Sequence, residues 1–169
     1  MRTNRTNPFL RNKIKALNPL KKIVSRLKKQ GEKIVFTNGC FDILHYGHAK
    51  YLEDAKRKGD ILIVGVNSDQ SVRRIKGNKR PIVNERDRIS LIAALESVDY
   101  AVLFNEYTPI KVIESLKPNI LVKGADWKKG NIAGEDIVSK LGGKVVRIKL
   151  VEGRSTSGMI KKIVKMWSV

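Results

Sequence analysis

The chain has two histidines, His45 and His48, three residues apart in Gly39-Cys40-Phe41-Asp42-Ile43-Leu44-His45-Tyr46-Gly47-His48. At the start of a helix, positions i and i+3 share a face, so both imidazoles can address one ligand. Gly47 between them removes a side chain where a bulky ligand must approach the backbone. A helix start adds free N–H groups and the positive end of a dipole. This combination suits a phosphate, above all a phosphoryl group in transfer, where catalysis rests on positioning and electrostatics. The same residues allow two other readings. Cys40, His45 and His48 could bind zinc, although a closed structural site wants four ligands. Alternatively, the imidazoles cap a helix or pack in a core.

Other segments carry chemistry of the same kind. Asp42 can organise a substrate or a hard cation, or cap its own turn. Lys76, Lys79 and Arg80 surround Gly77 and read either as a lid over anionic groups or as a solvated loop. Arg88 stands near a helix start, beyond Asn84 as its cap, where a cation works against the dipole and calls for an anionic partner. Gly124-Ala125-Asp126-Trp127 offers small residues against which a base can lie, while Trp127 could equally pack on the surface. Arg154-Ser155-Thr156-Ser157 joins a guanidinium and three hydroxyls to a helix start, a cradle for phosphates or an ordinary N-cap. Neither G-x-x-x-x-G-K-[ST] nor G-x-G-x-x-G occurs, so phosphates are not expected to be held in those ways.

The elements that must position these residues alternate. Apolar runs at 34–37, 61–66, 100–104, 120–123 and 144–150 read as strands covered on both faces. Helical spacing falls between them, at Tyr51/Leu52/Ala55, Ile89/Ile92/Ala93/Leu95, Ile110/Ile113/Leu116 and Ile137/Val138/Leu141. Asn18 and Pro19 are expected to open an earlier helix that stops at Gly31, and residues 155–166 a final one. The expected fold is therefore α/β, a three-layer sandwich with about five parallel strands. Ligands of such sheets sit beyond the carboxyl ends of the strands, here 38–48, 67–82, 105–108, 124–134 and 151–157.

Composition bounds the rest. The 169 residues are 41% hydrophobic and 30% charged, as in a globular domain, and no apolar run could span a bilayer. One cysteine excludes an internal disulfide, and with no signal-like segment a cytoplasmic protein is expected. Lys and Arg number 35 against 16 acids, a net charge of +19. Residues 1–33 hold eleven of these cations and one acid, a net of +10 in a fifth of the chain. Residues 1–17 read as a mobile or loosely docked basic arm and 18–169 as the domain. Without an aromatic platform or zinc-finger spacing, nucleic acid is not the expected partner.

The motifs in this order resemble the cytidylyltransferase-like nucleotidyltransferase superfamily. The likeness rests on Gly39–Asp42 with His45–His48, Val66-Asn67-Ser68-Asp69, Lys123–Trp127 and Gly153–Ser157. Over 33–165 the chain is most similar to the D-glycero-β-D-manno-heptose 1-phosphate adenylyltransferases, elsewhere the C-terminal half of bifunctional ADP-heptose synthases. The segments that carry this are Asn67-Ser68-Asp69-x-Ser71-Val72, Lys76-Gly77 to Arg80-Pro81, Ala94-Leu95-Glu96-x-Val98-Asp99 and Leu150–Thr156.

The resemblance implies a Rossmann-like HxGH fold and a sugar 1-phosphate oxygen attacking the α-phosphorus of ATP, with Mg²⁺ and loss of pyrophosphate. The product would be ADP-heptose for bacterial surface glycans such as the lipopolysaccharide core. It implies catalytic roles for His45, His48, Lys79 and Arg88. Around the nucleotide it puts Asn38, Gly39, Phe41, Gly47, Lys123, Gly124, Asp126, Arg154, Ser155, Thr156 and Ser157. Around the sugar phosphate it puts Asp42, Asn67, Lys76 and Arg80, with Asp42 also holding the metal. A homodimer is expected. The alternatives are a cytidylyltransferase acting on glycerol 3-phosphate or a similar phosphoester, and a nucleic-acid-binding protein that uses the basic arm.

Overall fold

In the computed structural model, which describes residues 8–127 and 130–168, the five apolar runs become β1 (Ile34–Gly39), β2 (Ile61–Asn67), β3 (Tyr100–Phe104), β4 (Ile120–Gly124) and β5 (Lys144–Ile148). All neighbours pair in parallel, in the order β3-β2-β1-β4-β5. The crossovers carry α3 (Tyr46–Lys56), α4 (Asp69–Lys76), α5 (Glu85–Ala94), α6 (Ile110–Leu116) and α7 (Glu135–Lys140). Before the sheet come α1 (Pro8–Lys13) and α2 (Leu17–Lys29), and α8 (Thr156–Trp167) follows it. No helix among the described residues is long and apolar enough to cross a membrane.

Alternation along β1 decides which helix lies on which face. Val35, with Leu62 and Val64, packs with Leu52 and Ala55 of α3 and Ile89 and Ile92 of α5. Ile34 and Phe36, with Ile63 and Leu121, pack on the other side with Leu20 and Val24 of α2 and Ile113 of α6. Each such side chain contributes about 1.5–3 kcal/mol on burial, and the result is the expected three layers.

The order of the strands reverses at β1, which makes the β1/β4 boundary the switch point where such sheets bind ligands. The register shows why a crevice opens there. β1 pairs with β2 along its whole length, from Ile34↔Ile61 to Gly39↔Val66. With β4 it pairs only at Val35↔Ile120 and Phe36↔Leu121. Past Phe36 side chains take over. Thr37 Oγ1 donates to the Val122 carbonyl at 3.0 Å and shares a hydrogen bond with the Tyr51 hydroxyl at 2.8 Å, and Lys123 Nζ donates to Asn38 Oδ1.

The N-terminal expectation needs revising. Ile14 forms a parallel bridge with Ala101 on the free edge of β3, and the Lys15 N–H donates to the Ala101 carbonyl at 3.0 Å. Lys13 Nζ reaches the Leu95 carbonyl at 3.1 Å, while Leu10 and Ile14 join the α3/α5 core. Residues 10–15 are thus tied down by apolar contact and edge pairing, despite their charge. That extended segment moves the start of α2 to Leu17 with Ala16 as its N-cap, so Asn18 lies inside the first turn, where Pro19 is still tolerated. β5 ends at Ile148 rather than at 150, and α8 starts one residue later than expected.

Candidate active site

Beyond β1 the chain turns through Phe41, a non-glycine residue at φ 46°, and its buried ring meets His48 edge-on at 5.3 Å. His45 is the N-cap of α3 but makes no side-chain capping bond; its carbonyl accepts from the His48 N–H at 2.9 Å. The two imidazoles stack, with centroids 3.8 Å apart and planes 17° from parallel. Both Nδ1 atoms are buried with no hydrogen-bond partner, an arrangement that a structural cap would not leave. A Cβ on Gly47 would stand 3.1 Å from both the Arg154 Cβ and the His45 ring. The glycine therefore lets the segment before α8 lie against the histidines.

Burial, and then the neighbouring His45, hold His48 at about 4. Burial and Arg154 lower His45 as well. Neutral imidazoles at pH 7 each offer one N–H to a ligand. No three metal-ligating side chains cluster among the described residues, which removes the zinc reading of Cys40, His45 and His48.

The histidines sit mid-way along a cavity of about 750 Å³ that runs over the ends of the strands. On the β4/β5 flank, the Lys123 ammonium is buried against Asn38 and lies 5.4 Å from the centre of the Trp127 ring. Burial lowers Lys123 to about 8, even though Asp126 pulls it up. A Cβ on Gly124 would meet Asp126 Oδ1 at 2.4 Å and Leu150 at 3.2 Å, so the floor here is backbone. Arg154, Ser155, Thr156 and Ser157 close this flank. Ser155 Oγ is used as an N-cap, accepting from the Gly158 N–H at 3.0 Å. The Arg154 guanidinium is exposed and has no ion pair with any described residue.

The β2/β3 flank holds Asn67, Lys76, Arg80, Tyr107 and Thr108. Here three expectations change. Asp42 is buried and fully committed: it pairs with the Arg80 Nε, and its Oδ1 accepts from the Ile82 and Val83 N–H groups at 2.8 and 2.9 Å. With its oxygens already shared among three donors, it organises the 80–83 loop and does not fit as a metal ligand. Arg88 is wholly buried and off the cavity. It donates to the carbonyls of Val83 and Cys40 and pairs with Asp69 at 2.8 Å. The anion its place called for is thus protein, not phosphate. Lys79 is exposed and does not line the cavity.

The sequence reading took 67–82 as loop, but it contains α4, capped by Ser68 Oγ accepting from the Ser71 N–H. Tyr107, Thr108, Asn131 and Ala133 line the cavity without having been singled out; only their place after strands pointed to them. A second depression of about 790 Å³, between α4, α5 and the end of β3, contains neither histidine.

The family description Cytidylyltransferase-like matches residues 36–163, which span this whole site. The chain belongs to that family. Among cytidylyltransferase-like relatives, it is 51% identical over 155 residues to the bifunctional protein HldE of Geobacter metallireducens. It is 52% identical over 155 residues to that of Citrifermentans bemidjiense. In both cases the match covers 92% of this chain and 32% of the relative, so the chain spans about a third of the length of these proteins. A lipopolysaccharide core biosynthesis protein from Thermoplasma volcanium superposes with a TM-score of 0.62 at 38% identity, covering 72% of this chain and 100% of that one. A pantoate-β-alanine ligase from Francisella tularensis, with a TM-score of 0.55 at 17% identity over 93% of this chain and 78% of its own, shares the fold.

Proposed function

We propose that the chain is a nucleotidyltransferase that transfers AMP from ATP to D-glycero-β-D-manno-heptose 1-phosphate, giving ADP-heptose and pyrophosphate. The observation that carries this reading is the stacked, neutral histidine pair between two cationic flanks, Arg154 on one side and Lys76 with Arg80 on the other. Two phosphate-bearing substrates need two such flanks. The similarity to HldE proteins and to a lipopolysaccharide core biosynthesis protein supports the heptose phosphate as acceptor and bacterial surface glycan as the destination.

ATP occupies the β4/β5 flank in this reading, with its base by Gly124, Asp126 and Trp127 and its terminal phosphates by Arg154 and the start of α8. The acceptor's phosphate oxygen attacks the α-phosphorus, and the bond from that phosphorus to the bridging oxygen breaks. The electron pair leaves with pyrophosphate. His45 and His48 donate N–H to the oxygens that gain charge, and no covalent bond to the protein forms. Mg²⁺ enters on the triphosphate, held by phosphate oxygens and water as this cation prefers; no residue step is routed through it. We further propose a cytoplasmic homodimer, supported by the bare apolar side of α8.

Pyrophosphate release tests the reading, with ATP, CTP and GTP crossed against heptose 1-phosphate anomers and glycerol 3-phosphate. Release confined to ATP with a heptose 1-phosphate is the expected result. Release with CTP and glycerol 3-phosphate alone would move the substrate and keep the chemistry.

A further inference from the structure

Polar groups with unused hydrogen-bonding capacity gather on the β2/β3 flank, away from both the histidines and the nucleotide flank. Asn67 is only 2% exposed. Its Nδ2 donates to Ser71 Oγ at 2.9 Å, while its Oδ1 accepts nothing from the described residues. The hydroxyls of Tyr107 and Thr108 likewise have no partner among the described residues, and both side chains line the cavity. Tyr107 is 63% exposed, an aromatic face left uncovered at the rim.

The loop that presents Tyr107 and Thr108 is held firmly. Ser71 Oγ, having accepted from Asn67, donates to the Glu106 carbonyl at 2.7 Å. Ser68 Oγ donates to Asn105 Oδ1, whose Nδ2 donates to Gln70 Oε1 at 2.8 Å. The Ser68 N–H bonds the Phe104 carbonyl at 2.9 Å. The Asn67-Ser68-x-Gln70-Ser71 segment therefore ties residues 104–106 to the first turn of α4 and fixes the two residues that follow. A site held in advance loses little ordering entropy on binding, as selective recognition requires.

We propose that Asn67, Tyr107 and Thr108 form the subsite that reads the hydroxyls of a polyhydroxylated acceptor, with Lys76 and Arg80 taking its phosphate. The inference rests on the adenylyltransferase reading and gives it a specificity device. Asn67 and Thr108 supply hydrogen bonds, and the Tyr107 ring lies against the C–H face of the sugar. A short phosphoester such as glycerol 3-phosphate satisfies the cations but leaves these groups unpaired, at the cost that buried polar groups carry when unmatched.

The test uses Thr108→Val, Thr108→Ser, Tyr107→Ala and Tyr107→Phe in the full chain, each checked by thermal unfolding. Binding of D-glycero-β-D-manno-heptose 1-phosphate is measured by calorimetry, and KM for it and for ATP by pyrophosphate release. Thr108→Val and Tyr107→Ala should each weaken acceptor binding about 3- to 10-fold, the range for a lost neutral hydrogen bond, and leave the KM for ATP unchanged. Thr108→Ser should restore most of the binding, and Tyr107→Phe should separate the ring from its hydroxyl. Unchanged acceptor affinity in both truncations, or an equal rise in both KM values, overturns the subsite. Wild-type chain that fails to bind the sugar phosphate overturns it as well. If the sugar phosphate binds, weakens as expected in the variants, and yet no pyrophosphate appears, the subsite stands and the adenylyl transfer falls.

Discussion

The histidine pair owes its chemistry to being kept neutral. Buried Nδ1 atoms, a stacked neighbour and Arg154 all disfavour protonation, so each ring keeps one N–H for an oxygen that gains charge. Loss of one such donor costs about 100- to 1,000-fold in kcat. His48→Ala should show that loss in pyrophosphate release while the thermal unfolding midpoint stays near that of the wild type. The same burial has a consequence for stability. His48 falls from 6.5 to about 4 on folding, so below pH 6.5 the unfolded chain binds a proton that the folded chain refuses. Stability from this group is complete above 6.5 and is lost as the pH falls towards 4, by about 2 kcal/mol at pH 5. Urea unfolding at pH 7.5 and pH 5 should show that difference in the wild type and a smaller one in His48→Gln. Equal pH dependence in both would refute it. The spacing of the histidines was legible because spacing on a helix start fixes a shared face. The roles of Asp42 and Arg88 were not. A sequence gives a charge its type, while what it pairs with is decided by loops that meet only in the fold.

At the scale of elements, Arg88 and Asp69 show how a helix pair supports a site without touching it. Arg88 in α5 holds Asp69 at the start of α4 and two carbonyls from the loops after β1 and before α5. Arg88→Met removes the cation and leaves a carboxylate and two carbonyl oxygens without their donor. Breaking one side of a buried pair costs about 3–5 kcal/mol, so the unfolding midpoint should fall by roughly 10 °C for a chain of this size. Lys76→Ala should do the reverse: no change in the midpoint but a higher KM for the acceptor. Lys79→Ala should move neither. A phosphate-binding Arg88 would give the opposite pattern, lost activity with the stability intact. α4 itself was hard to read because a helix of eight residues with Ser71 and Val72 as its buried members presents no apolar stripe. The five strands, by contrast, were visible nearly to the residue, since burial on both faces leaves near-continuous Val/Ile/Leu runs.

For the whole molecule, the excess of +19 is shared between cations that the fold uses internally, as with Arg88, and cations that face the cavity or solvent. The charge alone pointed to polyanions, whereas the geometry concentrates unpaired cations at the two ends of one cavity. α8 raises a different question, because its start belongs to the cavity and its body is bare. None of its residues is buried; Ile163, Val164, Met166 and Trp167 are 51%, 57%, 67% and 79% exposed. At 100° per residue, these fall with Met159 and Ile160 on one side, and Lys161, Lys162 and Lys165 fall on the other. A second copy can cover the apolar side and leave the lysines in water, so the charge does not oppose the contact. Such a contact also steadies Arg154 and Ser157 at the head of the helix. The proposed homodimer then predicts a particle of twice the chain mass by light scattering at micromolar concentration. Ile163→Glu should put a charge in the middle of the contact and give the single-chain mass, with a raised KM for ATP as the cradle loosens. A wild-type chain that scatters as a single copy, or an Ile163→Glu variant that stays dimeric, would remove α8 as the contact.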